Sequence, residues 1–337
     1  MSKGGKMKLL ILNAEEVTAS MDVKDVIEAD KEAMALYSKG ESNIPLRSNL
    51  DVKDAEGQAL FMPGLVEGAK ALGAKIISVY PKNPAKGLPA VPATMVVMDT
   101  ETGLVKGIMD GTELTRMRTG GLSGAATDVL AKKDAKTFVL IGTGGQAKSQ
   151  LESVLAVRDI ETAYIFNRKQ EKAAAFVASV EKDMAAYGAK LVPVSDLGPV
   201  IPEADIITAV TTATEPVFDG TKVKAGCHIN GIGAYTPEMI ELPPEIVARA
   251  DKIYVDTIDG VLNEAGDMIT PIKDGLVKEE KIANELGQVL LGELPGREND
   301  DEITLFKSTG SAVLDVVVGE KICRFAEEKG IGTTVEM

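Results

Sequence analysis

Apolar residues in the first third of the chain follow two different periods. An early stripe at helical spacing predicts a helix over residues 23–39, which ends at Gly40. Between Pro45 and Asp110 the pattern changes to short apolar runs that are typical of strands. The clearest runs are 74–79, 93–98 and 104–109, the last two joined by a hairpin loop at 99–103. These segments predict a mixed or antiparallel sheet with a covering helix.

After a predicted helix at 120–131, strands and helices alternate along the chain. Residues 137–141 form a continuous apolar run, which is typical of a strand covered on both faces. Helices are predicted at 147–157 and 169–185, and further strands at 162–166, 190–194, 205–210, 228–232 and 252–256. About six strands joined by helical or loop crossovers predict a doubly wound parallel sheet.

The chain ends in another predicted helix, over residues 312–329. Its 337 residues exceed what one hydrophobic core usually serves, since single cores stop growing at about 250–300 residues. We therefore predict an α/β protein of two domains. Residues 1–125 with 310–337 form a mixed α+β domain, and residues 126–309 form the parallel-sheet domain.

A glycine-rich motif lies where the first strand of the second domain meets its first helix. The motif is Gly142-Thr143-Gly144-Gly145-Gln146-Ala147. Gly142 permits a tight turn, Gly144 lets backbone approach a pyrophosphate, and Ala147 allows the helix to pack closely on the strand. The N-terminus of the helix offers N–H groups to an anion. This context predicts a Rossmann dinucleotide-binding unit, the alternative being an ordinary strand–helix turn.

The end of the second strand bears on which dinucleotide is bound. An acid there would accept a hydrogen bond from the ribose 2′-hydroxyl of NAD. This chain has Asn167-Arg168-Lys169 instead, a neutral residue followed by two cations. Such a group suits a 2′-phosphate, so we predict that NADP(H) is preferred, with NAD(H) as the alternative. The competing interpretation of Arg168 and Lys169 is a solvated pair at the start of a helix.

Composition excludes several classes of function. The net charge of −14 is spread along the chain without a basic patch, so nucleic-acid binding is not expected. Cys227 and Cys323 are too few for a disulfide framework, and neither a signal peptide nor an apolar run of membrane-spanning length is recognisable. We therefore expect a cytoplasmic protein. His228 is the sole histidine, which excludes His-based zinc sites, and its mid-strand position favours a satisfied core histidine. No metal is predicted.

Several segments together resemble the ornithine cyclodeaminase/mu-crystallin family, which includes ketimine reductases and some alanine dehydrogenases. The resemblance covers nearly the whole chain, and it is the order and spacing of the segments that make it specific. They are Pro45-Leu46-Arg47, Ala74-Lys75, 114–119, 142–147, 233–239 with Glu241, 264–267 and 303–308.

The resemblance implies a homodimer whose first domains join their sheets, with the active site in the cleft between the two domains. The first domain would then serve substrate binding and dimerisation. Family members transfer a hydride at the α-carbon of α-amino or α-imino acids. In the cyclodeaminases the hydride is taken and then returned, so the cofactor is not consumed.

The resemblance also assigns roles to particular residues. Arg47 and Arg118 match arginines that hold the substrate carboxylate, for which a planar guanidinium is well suited. Lys75 matches a lysine that assists at the substrate nitrogen, and its apolar strand favours a depressed pKa. Taken alone, each of the three would be interpreted as part of a surface ion pair. The remaining matches are cofactor contacts: Thr119 beside the phosphates, Thr211 and Thr212 near the adenosine, and Lys307 and Ser308 on the nicotinamide side.

Tyr235 departs from the family pattern. Cyclodeaminases and the related alanine dehydrogenase carry an aspartate there, where a carboxylate can hold a cationic amine or act as a base. A phenol cannot supply that charge, although it can donate a hydrogen bond or a proton. Tyr235 is therefore either a catalytic partner of Lys75 or a residue that packs in the wall of the cleft. The substitution argues against cyclisation of ornithine.

We predict an NAD(P)H-dependent oxidoreductase of small α-imino or α-amino acids, with ketimine reduction as the leading reaction. In it, Arg47 and Arg118 hold the carboxylate, and Lys75, with Tyr235, supplies the proton. One alternative is an ornithine or lysine cyclodeaminase with redox-neutral use of NAD. Another is a cofactor-binding protein of the crystallin type with little catalysis.

Overall fold

The computed structural model describes residues 8–337 and divides the chain into two compact units. Within the described residues, the first unit consists of 8–118 together with Ala312–Met337, and the second is Thr119–Ser311. The boundaries predicted from the sequence lie after residues 125 and 309. Within residues 8–337, no helix is long and apolar enough to cross a membrane.

The first unit is built on an eight-stranded mixed sheet. Its strands are β1 (Lys8–Leu12), β2 (Ser42–Asn43), β3 (Ser48–Val52), β4 (Gly57–Val66), β5 (Ala71–Val79), β6 (Ala93–Met98), β7 (Val105–Asp110) and, near the chain end, β15 (Thr333–Glu336). The order is β15-β1-β7-β6-β5-β4-β2, with β3 also paired to β4. Among the strand pairs that residues 8–337 form in this sheet, β1 and β7 run parallel and the others antiparallel, so the predicted mixed sheet is confirmed.

Helices cover the sheet of the first unit. They are α1 (Ala14–Ser20), α2 (Val23–Ser38), the first part of α3 (Gly111–Leu130) and α10 (Ala312–Lys329). Helix α10 packs on β4, β5 and β6 and against α1 and α2. Most of its residues are buried, including Val313, Leu314, Val316, Val317 and Val318. The chain end therefore provides the central packing element of this unit.

Helix α3 begins earlier than its predicted start at residue 120. It follows β7 without a loop, and the Asp110 carboxylate accepts a hydrogen bond from the Glu113 N–H at 2.8 Å. This side chain satisfies one of the free N–H groups at the helix start. Residues 114–119 are consequently helical, and Arg118 has the fixed backbone of a helix.

The second unit contains a seven-stranded sheet in which every pairing is parallel. Its strands are β8 (Thr137–Ile141), β9 (Thr162–Phe166), β10 (Lys190–Val194), β11 (Ile206–Ala209), β12 (His228–Gly231), β13 (Lys252–Val255) and β14 (Thr304–Lys307). The order is β10-β9-β8-β11-β12-β14-β13. The predicted doubly wound parallel sheet is confirmed, with β14 as a strand that the apolar pattern did not predict.

Alternate residues of β8 face two apolar cores. Val139 and Ile141 belong to one core, whereas Phe138 and Leu140 belong to the other. The strand is thus covered on both faces, as its continuous apolar run predicted. The helices of this unit are the rest of α3, α4 (Ala147–Val157), α5 (Gln170–Met184), α6 (Pro244–Arg249), α7 (Ile258–Glu264), α8 (Gly266–Lys273) and α9 (Leu286–Leu290).

Candidate active site

Three charged side chains meet inside the first unit. Lys75 lies on β5, Arg118 on α3 and Asp315 in the first turn of α10. One oxygen of Asp315 lies 2.6 Å from Lys75 Nζ, and the other accepts a hydrogen bond from Arg118 Nε at 3.0 Å. The three residues are only 1%, 6% and 0% exposed for Lys75, Arg118 and Asp315. Two predicted site residues are thus joined by an aspartate that sequence reasoning missed.

Burial and neighbouring charges set the protonation of this cluster. Burial lowers the pKa of Lys75 to about 8; the charge of Asp315 opposes this shift, while Arg118 and Arg47 add to it. Burial acts to raise the pKa of Asp315, but Lys75 and Arg118 outweigh it and hold that pKa below its usual value. The depressed lysine pKa that the sequence predicted is therefore present, with burial as its main cause.

The cluster has an unbalanced charge that suits an anionic ligand. Two buried cations face one ionised carboxylate, and Arg47, in the loop between β2 and β3, adds a third positive charge that acts on Lys75. A carboxylate ligand would offset the excess charge through hydrogen bonds to guanidinium groups. Lys75 could then serve as a proton donor beside it. The interpretation of Lys75 and Arg118 as surface residues does not hold, because both are buried.

Asp30, on α2, is a second acid near the cluster that sequence reasoning missed. It is fully buried, and among residues 8–337 neither of its carboxyl oxygens has a hydrogen-bond partner. Burial raises its pKa well above the usual value; the charge of Arg118 opposes this shift and that of Asp315 adds to it. Asp30 falls in the apolar stripe of its helix, three or four residues from Val26, Ile27, Ala33 and Met34, so this position could have suggested that it is buried.

A cavity of about 740 Å³ opens in the second unit beside the glycine-rich motif. It is lined at the ends of β8, β9 and β11 by 141–144, 166–168, Lys172 and 210–217. Gly142 has φ of +107°, and a Cβ there would lie 2.7 Å from the Val210 carbonyl oxygen. A Cβ at Gly144 or Gly145 would meet nothing within 4 Å. The motif thus combines a tight turn that needs glycine with an open cradle at the start of α4.

The end of β9 is tied to this motif. Asn167 Nδ2 donates a hydrogen bond to Thr143 Oγ1 at 2.8 Å, and Asn167 Oδ1 accepts one from the Lys169 N–H at 2.9 Å. Arg168 and Lys172 line the cavity, whereas Lys169 does not. Lys172 was missed, although its place in the first turn of the predicted helix could have suggested it. The cradle, the helix start and the cations fit the phosphates of a dinucleotide, and the volume is that of a ligand pocket.

The other predicted cofactor residues fall into two groups. Thr211 and Thr212 line the cavity, and Gln146 and Ala147 form the start of α4. Thr119 is buried, and its carbonyl accepts a hydrogen bond from Gln150 Nε2 at 2.9 Å.

Lys307 and Ser308, which the resemblance assigns to cofactor contact, have partners within the protein. Lys307 is fully buried and ion-paired with Asp267 at 2.8 Å, and the Ser308 hydroxyl donates to Asp256 at 2.7 Å. Lys307 therefore has no exposed surface through which to contact a cofactor.

His228 is the first residue of strand β12, and Tyr235 lies just after this strand. Tyr235 is in the turn that follows the strand and is 39% exposed. His228 is buried, with Nδ1 2.9 Å from Thr304 Oγ1 and Nε2 3.0 Å from Asn230 Oδ1. Burial lowers the pKa of His228 to about 3, so the ring is neutral. The prediction of a satisfied core histidine is confirmed.

Comparison with known proteins agrees with this geometry. The sequence profile of the ornithine cyclodeaminase/mu-crystallin family matches residues 7–330. The chain belongs to this family. A curated relative within it, the Delta(1)-pyrroline-2-carboxylate reductase of Bacillus cereus, is 40% identical over 328 residues, which are 97% of this chain and 100% of the relative.

Solved structures of family members superpose on the whole chain. The Delta(1)-pyrroline-2-carboxylate reductase of Thermococcus litoralis, in complex with NADH and L-proline, is 38% identical with a TM-score of 0.90, covering 97% of this chain and 100% of that one. An archaeal alanine dehydrogenase dimer with bound NAD is 33% identical with a TM-score of 0.87, covering 98% and 99%. The family resemblance predicted from the sequence motifs is confirmed.

The buried Asp30 carboxyl leads to a prediction about stability. The pKa of Asp30 in the folded state lies above the unfolded value of about 3.9. The unfolding free energy therefore falls by about 1.4 kcal/mol per pH unit as the pH rises from that value towards the folded pKa. Asp30→Asn removes this loss. We expect the difference in unfolding free energy, variant minus wild type, to grow in urea denaturation as the pH rises above about 4 towards the folded pKa.

Glu28→Gln, which changes an exposed acid of the same helix, is the matched control and should show no such trend. A difference for Asp30→Asn that stays constant over this range would mean that Asp30 ionises normally in the folded protein.

Proposed function

We propose that this protein is an NAD(P)H-dependent ketimine reductase that converts Δ1-pyrroline-2-carboxylate to proline. The observation that carries this proposal is the buried Lys75–Asp315–Arg118 cluster, which pairs an anion-binding guanidinium with a lysine whose pKa is about 8. Whole-length relatives that carry the name of this reductase support the choice of substrate.

The reduction requires a hydride at the imine carbon and a proton at the imine nitrogen. The bound dinucleotide supplies the hydride. Arg118, with Arg47, binds the substrate carboxylate and so orients the C=N bond. Lys75 Nζ donates the proton, and Asp315 holds the ammonium group in position at 2.6 Å. A donor whose pKa is near the working pH can both give the proton and regain it from water.

Tyr235 is the second proton-transfer residue in this proposal. Its phenol is exposed and can donate a hydrogen bond or a proton. A reductase receives the imine already formed, so it does not need the carboxylate that cyclodeaminases place there. The phenol at this position therefore favours reduction over the redox-neutral cyclisation of ornithine.

A panel of substrates tests the reaction itself. We expect Δ1-pyrroline-2-carboxylate to be reduced, with consumption of NADPH or NADH read by absorbance, and ornithine to release no ammonia. Pyruvate with ammonia tests amino-acid dehydrogenase activity in the same assay. Release of ammonia from ornithine at an ordinary turnover of about 1–10 per second would show that the protein is a cyclodeaminase and that the argument from Tyr235 is wrong.

The role of Lys75 is tested by comparing two lysines of the same sheet. Lys75→Met should lower kcat by about 10²- to 10⁴-fold, the usual contribution of general acid–base catalysis. Lys106→Met is the control, because Lys106 on β7 also pairs with an acid of α10, Glu320 at 2.5 Å, but is part-exposed and outside the cluster. Equal losses in both variants would mean that Lys75 matters only for packing. A cooperative urea unfolding transition like that of the wild type would show that Lys75→Met is folded.

We also propose that NADP(H) is the preferred cofactor and that NAD(H) binds more weakly. No carboxylate follows β9, since Asn167 stands there and both polar atoms of its side chain are engaged. Arg168 and Lys172 bring two cations to the cavity wall nearby. Two cations favour a 2′-phosphate, whereas the NADH and NAD in the related structures indicate that the unphosphorylated cofactor is also accepted in this family.

Arg168→Ala should therefore weaken NADPH binding by about 1–3 kcal/mol, the range for a charge-assisted hydrogen bond, and NADH binding much less. Lys169→Ala provides the control, because this neighbouring cation does not line the cavity. Isothermal titration with both cofactors measures the difference. If Arg168→Ala weakens both cofactors to the same degree, Arg168 does not recognise a 2′-phosphate.

We propose that the protein is a cytoplasmic homodimer. The sheet of the first unit exposes Leu50, Phe61 and Ile76 on one face, with Phe61 paired to Ile76 and Leu50 paired to Ala59, two residues before Phe61. A second copy of the chain would cover this apolar surface. The dimer of the related archaeal alanine dehydrogenase supports this assembly. Cys227 and Cys323 are both free and buried, which suits a reducing compartment.

A further inference from the structure

Glu241 joins two loops of the second unit, although it lines no part of the dinucleotide cavity. One oxygen of its carboxylate accepts hydrogen bonds from the Thr211 N–H at 2.7 Å and the Thr211 hydroxyl at 2.9 Å. The other accepts from the N–H groups of Gly233 at 2.5 Å and Ala234 at 3.2 Å. A single side chain therefore ties the cavity loop after β11 to the turn after β12.

The two loops are also in close contact through their backbones. A Cβ at Gly233 would collide with the backbone of Thr211. The main chain adds two further links, from the Ile240 N–H to the Ala213 carbonyl at 2.8 Å and from the Val217 N–H to the Glu241 carbonyl at 3.0 Å. Both links are made to the segment 211–217, which forms one wall of the cavity.

The hydrogen bonds also indicate which form of Glu241 is present. Each oxygen receives two donors, so all four contacts are of the kind that an ionised carboxylate accepts. The side chain is fully buried, and burial raises its pKa above the usual value. An ionised carboxylate at this depth needs a positive charge nearby.

Lys307 provides that charge. Its ammonium lies 4.0 Å from Glu241 and 2.8 Å from Asp267, and both Lys307 and Glu241 are fully buried. Lys307 acts to lower the pKa of Glu241, whereas the charge of Asp267 acts to raise it. Asp267 also accepts hydrogen bonds from the Glu241 and Leu242 N–H groups, at 2.7 and 3.0 Å. Lys307 therefore sits where it can offset both acids.

We propose that Glu241 and Lys307 are positioning residues for dinucleotide binding: Lys307 keeps Glu241 ionised and in place, and Glu241 holds the Thr211 loop at the cavity wall. The proposal rests on the function proposed above, in that the cavity must bind a nicotinamide dinucleotide. It gives the buried Lys307 a role that does not require contact with the cofactor.

Calorimetric titration with NADH and NADPH tests this role without relying on turnover. Glu241→Gln replaces an acceptor oxygen with an amide that must face two donors. We expect the Kd of the dinucleotide to rise by about 10- to 100-fold, as for other residues that orient a ligand-binding group. Lys307→Met should act in the same direction. Lys252→Met is the control, since Lys252 on β13 pairs with Glu298 and Glu302 away from the cavity, and its Kd should stay unchanged.

The double variant Glu241→Gln/Lys307→Met gives the sharpest result. It neutralises one of the two buried acids that Lys307→Met leaves without a cation, whereas Asp267 stays without its cation in both variants. If Lys307 acts through Glu241, the double variant binds the dinucleotide no more weakly than Glu241→Gln alone. Additive losses would overturn the proposal, because Lys307 would then act on the cofactor by a separate route.

The same titration separates positioning from loss of folded protein. A merely structural role would lower the number of binding sites per chain and leave the Kd of the remaining sites unchanged, which would also overturn the proposal. If the wild-type protein binds neither dinucleotide, the proposed function fails together with this inference. If the wild type binds and the variants bind equally well, only the inference fails.

Discussion

The buried cations of the first unit depend on one carboxylate, that of Asp315. Lys75 and Arg118 lie inside the protein, where an uncompensated charge is strongly unfavourable. Asp315 accepts contacts from both of them, one with each oxygen. Removing one partner of such a buried arrangement typically costs about 3–5 kcal/mol, because the remaining charges lose their partner.

Asp315 is supplied by α10, the helix with which the chain returns to the first unit. Asp315 lies 197 residues after Arg118 and is carried by α10, whose apolar residues form much of the core on β4, β5 and β6. The packing of one helix therefore delivers the counter-ion for both cations. Stability and site geometry in this unit have the same origin. The second unit also pairs a buried cation with buried carboxylates, since Lys307 lies beside Asp267 and Glu241.

The sequence predicted those elements whose signal is local. The strands β8, β9 and β10 and the helices α4 and α10 have their predicted bounds, because continuous apolar runs and helical stripes are contained within each segment. Strand β14 was missed because only two of its four residues, Leu305 and Phe306, are apolar. Its Thr304 and Lys307 are buried, and their polar groups meet partners such as His228 and Asp267. Partners so distant in sequence leave no local pattern.

The same limit applies to the candidate site. Lys75 and Arg118 were found through family motifs, and the Gly142–Ala147 motif through its position between a strand and a helix. Asp315 and Asp30 are single acids at apolar positions of their helices, which indicates burial, but the helical pattern does not identify the groups that they meet. Only the assembled fold brings Asp315 to Lys75 and Arg118. The family motif also assigned Lys307 to cofactor contact, whereas the fold gives this lysine a partner within the protein, Asp267.

The most direct test of this account is the titration of the Lys75 ammonium group, followed by NMR of its side-chain Cε carbon in wild type and in Asp315→Asn. The account predicts a pKa of about 8 in the wild type. It predicts a lower pKa in Asp315→Asn, since the variant keeps the burial and the charge of Arg118 but loses the opposing carboxylate. An ordinary lysine pKa of about 10.4, the same in both proteins, would contradict it.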